Sequence, residues 1–353
     1  MKKLTIAAKP PYDVLLGEGL LERSGELAAR AVAGRRVLIV TEDRVAEPYL
    51  ERTLRAFAAA GFQTAVFRFP GGEKNKTLAT VEAALNAADA AGLTRRDLFA
   101  ALGGGVVGDL TGLAAALYLR GVDYIQMPTT LLAMADACVG GKTGVNLPGG
   151  KNLCGAFHQP RLALCDTDTL KTLPLRIRAE GMAEVIKCGA VCAPELLDSV
   201  RCGAEEEELI AACIRVKGRF VALDERDQGQ RQLLNLGHTF GHALEKLSGF
   251  SIWHGEGVSV GLAMAAWTAE RRGLCEPGVY AELRGLLAAQ GLPVTTAFSA
   301  GEIAAAAMND KKRQGDALTL ALPCRRGESR LYPLPAAELA GFIACCDGEV
   351  TAR

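Results

Sequence analysis

Four short apolar runs alternate with helix-periodic segments, and this alternation constrains the fold of the chain more than any other feature. RRVLIVTED (35–43), FQTAVFRFP (62–70), DLFAALGGG (97–105) and VDYIQMP (122–128) are apolar almost throughout rather than at every second residue. That is the pattern of strands buried on both faces of a parallel sheet. Between them, EPYLERTLRAFAAAG (47–61) and KTLATVEAALNAADAAG (76–92) carry helical periodicity and end in glycine. Strand–helix alternation of this kind predicts a doubly wound, Rossmann-like parallel sheet with its ligands at the carboxyl ends of the strands. After Leu173-Pro174 the texture changes to Ala- and Leu-rich amphipathic stretches, with few β-branched runs before DALTLALP (316–323). Two domains are therefore expected: an α/β domain over residues 1–172 and an all-helical, or mainly α-helical, domain over 173–353. The length of 353 residues agrees with that division at about 150 residues per domain.

Lys plus Arg and Asp plus Glu each number 40, so the formal charge is zero. A neutral chain has no long-range pull towards polyanions, which argues against nucleic-acid and membrane-surface binding. The longest uncharged run, Gly285 to Gly301, is broken by Gly291 and Pro293, so no membrane span is expected. MKKLTIAAKPPYD has no apolar stretch before Lys9 and does not read as a secretory signal. The 11 cysteines are odd in number, scattered and without a CxxC pair, which suits buried free thiols in a reducing cytoplasm. Glycine, at 40 residues, exceeds the roughly 7% typical of globular chains and suggests tight turns and close backbone approach to ligands.

Three constellations carry chemistry. The first is Gly103-Gly104-Gly105-Val106-Val107-Gly108, which fits G-x-G-x-x-G between an apolar strand and a helical stretch. Glycines there let the backbone approach a pyrophosphate at a helix N-terminus, though strand-to-helix turns are also glycine-rich for purely structural reasons. Glu42 and Asp43 end an earlier strand, where an acid can bond ribose hydroxyls; a solvated acidic cluster accounts for them equally well. A second glycine-led turn, Gly71-Gly72-Glu73-Lys74-Asn75-Lys76, follows another strand.

The second constellation holds three of the four histidines, His238, His242 and His254, within seventeen residues. Spacing alone pairs His238 with His242 on one helical face, as metal ligands or as two core histidines. Glu184 and Lys187 lie three apart in an apolar stretch, and buried charges of this kind need partners. Glu with two His is a sound set for a zinc site left open to substrate. Third, PTTLLAMADACVGGKTGVNLPGGKNLCGAFHQP (128–160) sets Asp136, Lys142, Asn146, Lys151 and Asn152 among glycines, a pattern suited to an anionic small molecule. Arg120, Lys217, Arg231 and Lys311-Lys312 are further cations, each of which is as readily a surface residue when taken singly.

The blocks GGGVVGD, YLRG, PTTLLA, then Asp136 followed by VGGKTGVNLPGGKN, AEVIK, LNLGHTFGHA and WHGE resemble 3-dehydroquinate synthase, in order from about residue 35 to 323. The resemblance implies a dehydroquinate synthase-like fold and an enzyme of the shikimate pathway that uses NAD and Zn2+ or Co2+. Its reaction converts 3-deoxy-D-arabino-heptulosonate 7-phosphate to 3-dehydroquinate and phosphate. The implied metal ligands are Glu184, His238 and His254, with His242 turned to the substrate phosphate. Implied NAD contacts are Glu42, Glu73, Lys76, Gly104 to Asp109 (with Gly105, Val106, Val107 and Gly108), Thr129, Thr130, Lys142, Lys151 and Thr169-Leu170-Lys171-Thr172. Implied substrate contacts are Asp136, Lys142, Asn152, Lys187, Lys217, Arg231, Asn235, His242 and the Lys311-Lys312 pair. Arg120 is expected to reach the phosphate of a neighbouring subunit, which implies a homodimer.

Some positions depart from the family pattern. Asp227 stands where Glu is usual, so a proton relay there spans one methylene less. Met134, Ala137 and Cys138 make the wall around Asp136 more apolar, and Glu42-Asp43-Arg44 replaces the usual Asp-Asn at the ribose end. Three other readings remain open at this point: another sugar-phosphate cyclase (2-deoxy-scyllo-inosose or 2-epi-5-epi-valiolone synthase type), a metal-dependent polyol dehydrogenase, and a dinucleotide sensor.

Overall fold

Val37 and Ile39 pack into one apolar cluster and Leu38 and Val40 into another, so the strand at 36–42 is buried on both faces. This is why its sequence is continuously apolar. A computed structural model describes residues 1–311 and 317–352. The chain forms two units, Met1–Leu173 and Pro174–Arg353.

The first unit contains β1 (Lys2–Ile6), β2 (Tyr12–Gly17), α1 (Ser24–Ala31), β3 (Arg36–Glu42), α2 (Asp43–Ala59), β4 (Gln63–Phe69), α3 (Leu78–Ala90), β5 (Leu98–Gly103), α4 (Gly105–Leu117), β6 (Asp123–Pro128), β7 (Lys142–Leu147), β8 (Gly150–Phe157) and β9 (Leu162–Asp166). Seven strands form one sheet in the order β1-β2-β9-β6-β5-β3-β4. All neighbours are parallel except β1 and β2, an antiparallel pair at one edge. α1 and α2 cover one face, with Leu27, Tyr49 and Phe57 in its core; α3 and α4 cover the other, with Val81, Ala84, Leu110 and Leu113. From β3 the chain runs outward to β4 and returns on the other side of β3 as β5. The crevice at such a reversal of strand order is where open α/β sheets bind ligands.

The second unit contains α5 (Leu175–Cys192), α6 (Pro194–Arg201), α7 (Glu206–Leu223), α8 (His238–Leu247), α9 (His254–Arg271), α10 (Val279–Ala289), α11 (Ala300–Lys311), β10 (Ala317–Arg325), β11 (Glu328–Pro335) and α12 (Leu339–Ile343). Its helical character holds throughout except at the antiparallel pair β10–β11, whose first strand falls in the one β-rich run of this half. Leu318, Leu320 and Leu322 are buried there, the alternation of a strand with one face in a core. No helix among the described residues is long and apolar enough to cross a membrane. All 11 cysteines are free; Cys202 is exposed and the remainder are buried or half-buried.

Several glycines bring helices together rather than making turns. A Cβ on Gly261 of α9 would lie 2.0 Å from the Gly237 carbonyl oxygen, and one on Gly241 of α8 would lie 2.9 Å from Gly257. α8 and α9 therefore approach backbone to backbone at these points. This corrects the expectation that the glycine excess serves turns and ligands alone.

Candidate active site

The first unit gathers polar groups around the carboxyl ends of β3, β4 and β5. Gly103 and Gly108 must be glycine for packing, because a Cβ would meet Val107 Cγ2 at 2.5 Å or Gln126 Oε1 at 2.9 Å. Gly104 caps α4 without a capping side chain, and at Gly105 a Cβ would meet nothing closer than Ala137, at 3.6 Å. The first turn of α4 therefore carries no side chain of its own at Gly104 and Gly105 and is bordered by Thr130, Ala137 and Leu132, an arrangement that fits a pyrophosphate. Val107 is buried and Val106 half-buried. Thr129 N–H donates to the Gly103 carbonyl at 3.0 Å, and Thr130 Oγ1 accepts from Ala133 N–H at 3.2 Å, so both threonines flank the glycine turn.

Glu42 accepts from Gly72 N–H at 3.2 Å, and a Cβ on Gly71 would lie 2.3 Å from its carboxylate. Burial pushes the Glu42 carboxyl up. Lys76 Nζ is 2.6 Å from Asp109 Oδ2 and 2.6 Å from Asn152 Oδ1. Asn146 Nδ2 donates to Glu73 Oε1 at 2.8 Å, and Lys151 Nζ lies 3.8 Å from the same oxygen. One network thus joins Glu73, Lys76, Asp109, Lys151 and Asn152. Asn146, noted in the sequence without a role, holds it together.

Asp136 is half-buried in a single wide helical turn, Ala133–Ala137, an irregularity frequent at functional sites. Lys142 is exposed at the start of β7. Arg120 is exposed and follows Leu119, both with positive φ (68° and 49°), a backbone conformation that costs free energy in non-glycine residues. The stretch Thr169 to Thr172 is engaged elsewhere: Thr169 Oγ1 donates to the Asp166 carbonyl at 2.8 Å, Lys171 pairs with Glu18 and Asp168, and Thr172 meets the Tyr49 hydroxyl. Leu170 is buried. The structure does not bring these four side chains into the Lys76 network.

In the second unit, three helices converge on Glu184. This α5 residue is fully buried (0% exposed). His254 Nε2, at the first residue of α9, lies 3.3 Å from Glu184 Oε1; His238 Nε2, at the first residue of α8, lies 3.6 Å from it. One donor atom from each of Glu184, His238 and His254 falls within 4.8 Å of the others. Lys187 Nζ pairs with the second oxygen of Glu184, yet neither carboxylate oxygen receives a hydrogen bond of good geometry among the described residues. Burial works to raise the Glu184 carboxyl, but Lys187, His238 and His254 hold it well below the usual range.

The imidazoles are oriented for a cation. His238 Nδ1 is 3.2 Å from the Leu236 carbonyl, which only accepts, so Nδ1 carries the proton and Nε2 is left as a lone pair. Burial, then the Lys187 charge, pushes the His238 ring well below its ordinary pKa. His254 Nδ1 is 2.8 Å from Glu245 Oε1, leaving Nε2 for the ion. Burial opposes charge on that ring, but the Glu184 and Glu245 carboxylates beside its two nitrogens push it up to about 10; a cation would take the place of its Nε2 proton. A buried carboxylate with Lys187 on one oxygen and two imidazole Nε2 atoms facing the other, the second imidazole nitrogens being tied down, fits Zn2+ or Co2+ with a position left for substrate.

Glu245 is a functional residue that the motif reading passes over. It is fully buried and stands three residues after His242 and seven after His238, the same helical face, which is the signal that reveals it. The start of α9 is pinned as well. The Glu256 carboxylate accepts Trp253 N–H at 2.9 Å and is forked by Arg176 at 2.7 and 3.0 Å, while the Arg176 guanidinium stacks 3.9 Å over Trp253.

His242 joins His238 and His254, with ring centroids 5.4 and 5.8 Å away, and its donor atom groups with Glu245 and His254 rather than with Glu184. Spacing alone would have paired it with His238 on the metal. Lys217 and Arg231 are buried cations, 7% and 1% exposed. Arg231 N–H donates to Asp224 Oδ2 at 3.1 Å and its Nη1 to the Glu225 carbonyl at 2.7 Å. Asp227 sits in this loop with φ 56°, and Asn235 ends the turn after it, half-buried. Of the Lys311-Lys312 pair, Lys312 and the side chain of Lys311 lie outside the described residues.

Comparison with known proteins gives the family of the chain. A family model described as "3-dehydroquinate synthase N-terminal" matches residues 66–180, and one described as "3-dehydroquinate synthase C-terminal" matches residues 181–313. The 3-dehydroquinate synthases of Mesorhizobium japonicum and Rhodospirillum rubrum are 42% and 44% identical to this chain, over 94% and 91% of it and 93% and 88% of their own lengths. Among solved structures, 2-deoxy-scyllo-inosose synthase complexed with carbaglucose-6-phosphate, NAD+ and Co2+ superposes with a TM-score of 0.84 at 27% identity, covering 97% of this chain and 99% of that one. The 2-epi-5-epi-valiolone synthase of Streptomyces hygroscopicus, with NAD+ and Zn2+ bound, gives 0.86 at 28%, covering 95% and 97%. An iron-containing alcohol dehydrogenase shares the fold alone, with a TM-score of 0.68 at 16% identity, covering 96% of this chain and 98% of its own. On the length of these matches and the donor set they span, the chain belongs to the 3-dehydroquinate synthase family.

Proposed function

We propose that this chain converts 3-deoxy-D-arabino-heptulosonate 7-phosphate to 3-dehydroquinate and phosphate, with NAD and a divalent metal, as a step of the shikimate pathway. The observation that carries the reading is the buried donor set of Glu184, His238 and His254 beside Lys187. When bound, the metal supplies Lewis acidity to the reacting substrate hydroxyl and NAD supplies a two-electron acceptor that is restored by the end of the cycle.

The chain's own residues supply recognition and orientation. Lys142, Asn152, Asn235 and His242 hold the leaving phosphate, whose negative charge grows as its ester bond breaks. Lys217 and Arg231 take the substrate carboxylate. A buried guanidinium whose backbone N–H and Nη1 are already fixed loses little freedom in binding a planar anion, and its fork sets orientation as well as charge. Lys187 Nζ, beside Glu184, is placed to donate to a substrate oxygen near the metal, and Asp136 to accept from a substrate hydroxyl. Glu73, Lys76, the Gly104–Asp109 turn, Thr129, Thr130 and Lys151 serve the dinucleotide. Arg120, cationic and exposed, serves the phosphate bound by the other subunit of a homodimer, and the enzyme works in the cytoplasm.

Phosphate release from the heptulosonate phosphate tests this directly. It should require both NAD and metal, stop with a chelator, resume with Zn2+ or Co2+, and leave no net NADH. Stoichiometric NADH would mean a polyol dehydrogenase. Equal turnover of sedoheptulose 7-phosphate, which lacks the carboxylate, would mean another cyclase. Arg231→Ala should raise KM for the heptulosonate phosphate strongly.

A further inference from the structure

Lys76 is 4% exposed, and its ammonium group contacts two residues from different elements. Asp109 Oδ2 lies 2.6 Å from Nζ on the α4 side, and Asn152 Oδ1 lies 2.6 Å from it on the β8 side. An asparagine amide is both donor and acceptor, and next to an anion only its Nδ2 end is useful. Because Asn152 Oδ1 already faces a cation, the amide cannot turn over without losing that contact, and Nδ2 is the group left to meet an anion. The backbone reinforces the arrangement. Asn152 holds φ 53° and donates its N–H to Asn146 Oδ1 at 2.9 Å, while Asn146 N–H donates to the Lys76 carbonyl at 2.9 Å. Lys76 thus fixes the hairpin tip through its main chain and the Asn152 amide through its side chain.

We propose that Lys76, beyond its own place in the dinucleotide site, has a positioning role that couples dinucleotide binding to phosphate binding within the first unit, through the bridge Asp109–Lys76–Asn152. The inference rests on the reading above, in which Asp109 serves the dinucleotide and Asn152 the phosphate. A ligand at either end orders the shared bridge, so the second ligand meets less ordering cost, and the effect is reciprocal. Neither ligand need touch the other.

The test is calorimetric titration of NAD into the full-length, metal-loaded protein, with saturating inorganic phosphate or with chloride at matched ionic strength. In the wild type, phosphate should tighten NAD binding about fivefold to tenfold, the lower part of the range for coupled sites. Lys76→Met should bring that ratio to about one. Asn152→Ala removes a proposed phosphate contact together with the bridge, so its ratio is read only at phosphate concentrations that a direct titration shows to saturate the variant. There it too should fall to about one, and it carries the test alone if Lys76→Met does not fold. Coupling that survives both variants overturns the proposal, since it would then be direct attraction between the ligands. A wild-type ratio of one, with both ligands bound, overturns the bridge and leaves the functional reading standing. Failure of the wild type to bind phosphate at all overturns both.

Discussion

Glu245 contributes to the proposed metal site through His254, and its replacement gives a magnitude that can be checked without turnover. The carboxylate is 0% exposed and His254 is half-buried, so water screens little between the carboxylate and the His254 Nδ1 proton 2.8 Å away. A hydrogen bond to a charged acceptor contributes about 1.5–3 kcal/mol and a neutral one about 0.5–1.5. Glu245→Gln keeps the geometry and an acceptor oxygen but removes the charge, a difference of about 1–1.5 kcal/mol, or roughly tenfold in affinity. Glu245→Ala leaves Nδ1–H facing a void, and its effect should reach about a hundredfold, the upper end for residues that orient metal-bound histidines. Competition for Zn2+ against a chromogenic chelator measures both values, with circular dichroism to confirm that each variant is folded. Affinity unchanged within about twofold in a folded Glu245→Ala would refute the orienting role.

Glycine placement gives a paired test. Gly261→Ala puts a Cβ 2.0 Å from the Gly237 carbonyl; it should destabilise by about 1–3 kcal/mol and lower Zn2+ affinity, because α8 and α9 carry two ligands. Gly285→Ala in α10, where a Cβ meets nothing within 4 Å, should stabilise by about 0.5–1 kcal/mol in urea titration. Asp97 gives the pH dependence. Burial works to raise its carboxyl, but the Thr94 hydroxyl and the N–H groups of Thr94 and Arg36 outweigh burial and hold it below the usual range. A lowered folded-state pKa stabilises above the unfolded value near ~3.9 and ceases to as pH falls through the folded value. Asp97→Asn should therefore cost about 1–2 kcal/mol near neutrality and progressively less in acid; a cost that grows on acidification would contradict the assignment.

The parallel core was readable because β3, β5 and β6 are apolar in the length and rhythm of a buried strand. β4, expected to be buried as well, is the edge strand, with Gln63, Thr64, Val66 and Arg68 exposed. β7 and β8 were not readable, since Lys142 to Phe157 is rich in Gly, Asn and Lys, residues poor in β propensity. Their pairing depends on a contact that the sequence does not display: a Cβ on Gly155 would lie 2.1 Å from the Thr143 carbonyl. Gly237, Gly241, Gly257 and Gly261 do display a spacing of four in each of two helices. Composition reads their excess as turns and close approach to ligands, because it does not distinguish a glycine that bends a chain from one that lets two helices touch. The metal ligands were named by motif, whereas spacing alone favoured His242; what separates it from Glu184 is the placement of α5 against the α8–α9 pair, a tertiary fact.

The placement of charge ties these observations to function. Among the described residues of the second unit, the buried charged side chains are Glu184, Lys187, Lys217, Arg231 and Glu245. Four of them are residues the sequence singled out for chemistry, and the fifth holds the His254 ring. Burying such groups does not strengthen a fold: desolvation of an ion costs several kcal/mol, and well-packed apolar replacements of buried pairs are often as stable or more so. A helical unit that retains five, three on α5 and α8, one on α7 and one in the Arg231 loop, therefore gives up stability there. In the first unit the buried ions divide. Asp97 and Asp166 accept backbone N–H groups of turns and stabilise the fold directly. Lys76, the one buried cation among the described residues of this unit, links two side chains that the reading assigns to ligands. Burial without a structural return is thus what separates the working residues from the structural ones in both units, and Glu245 and Lys76 are the positions where that criterion adds to what the motifs reveal.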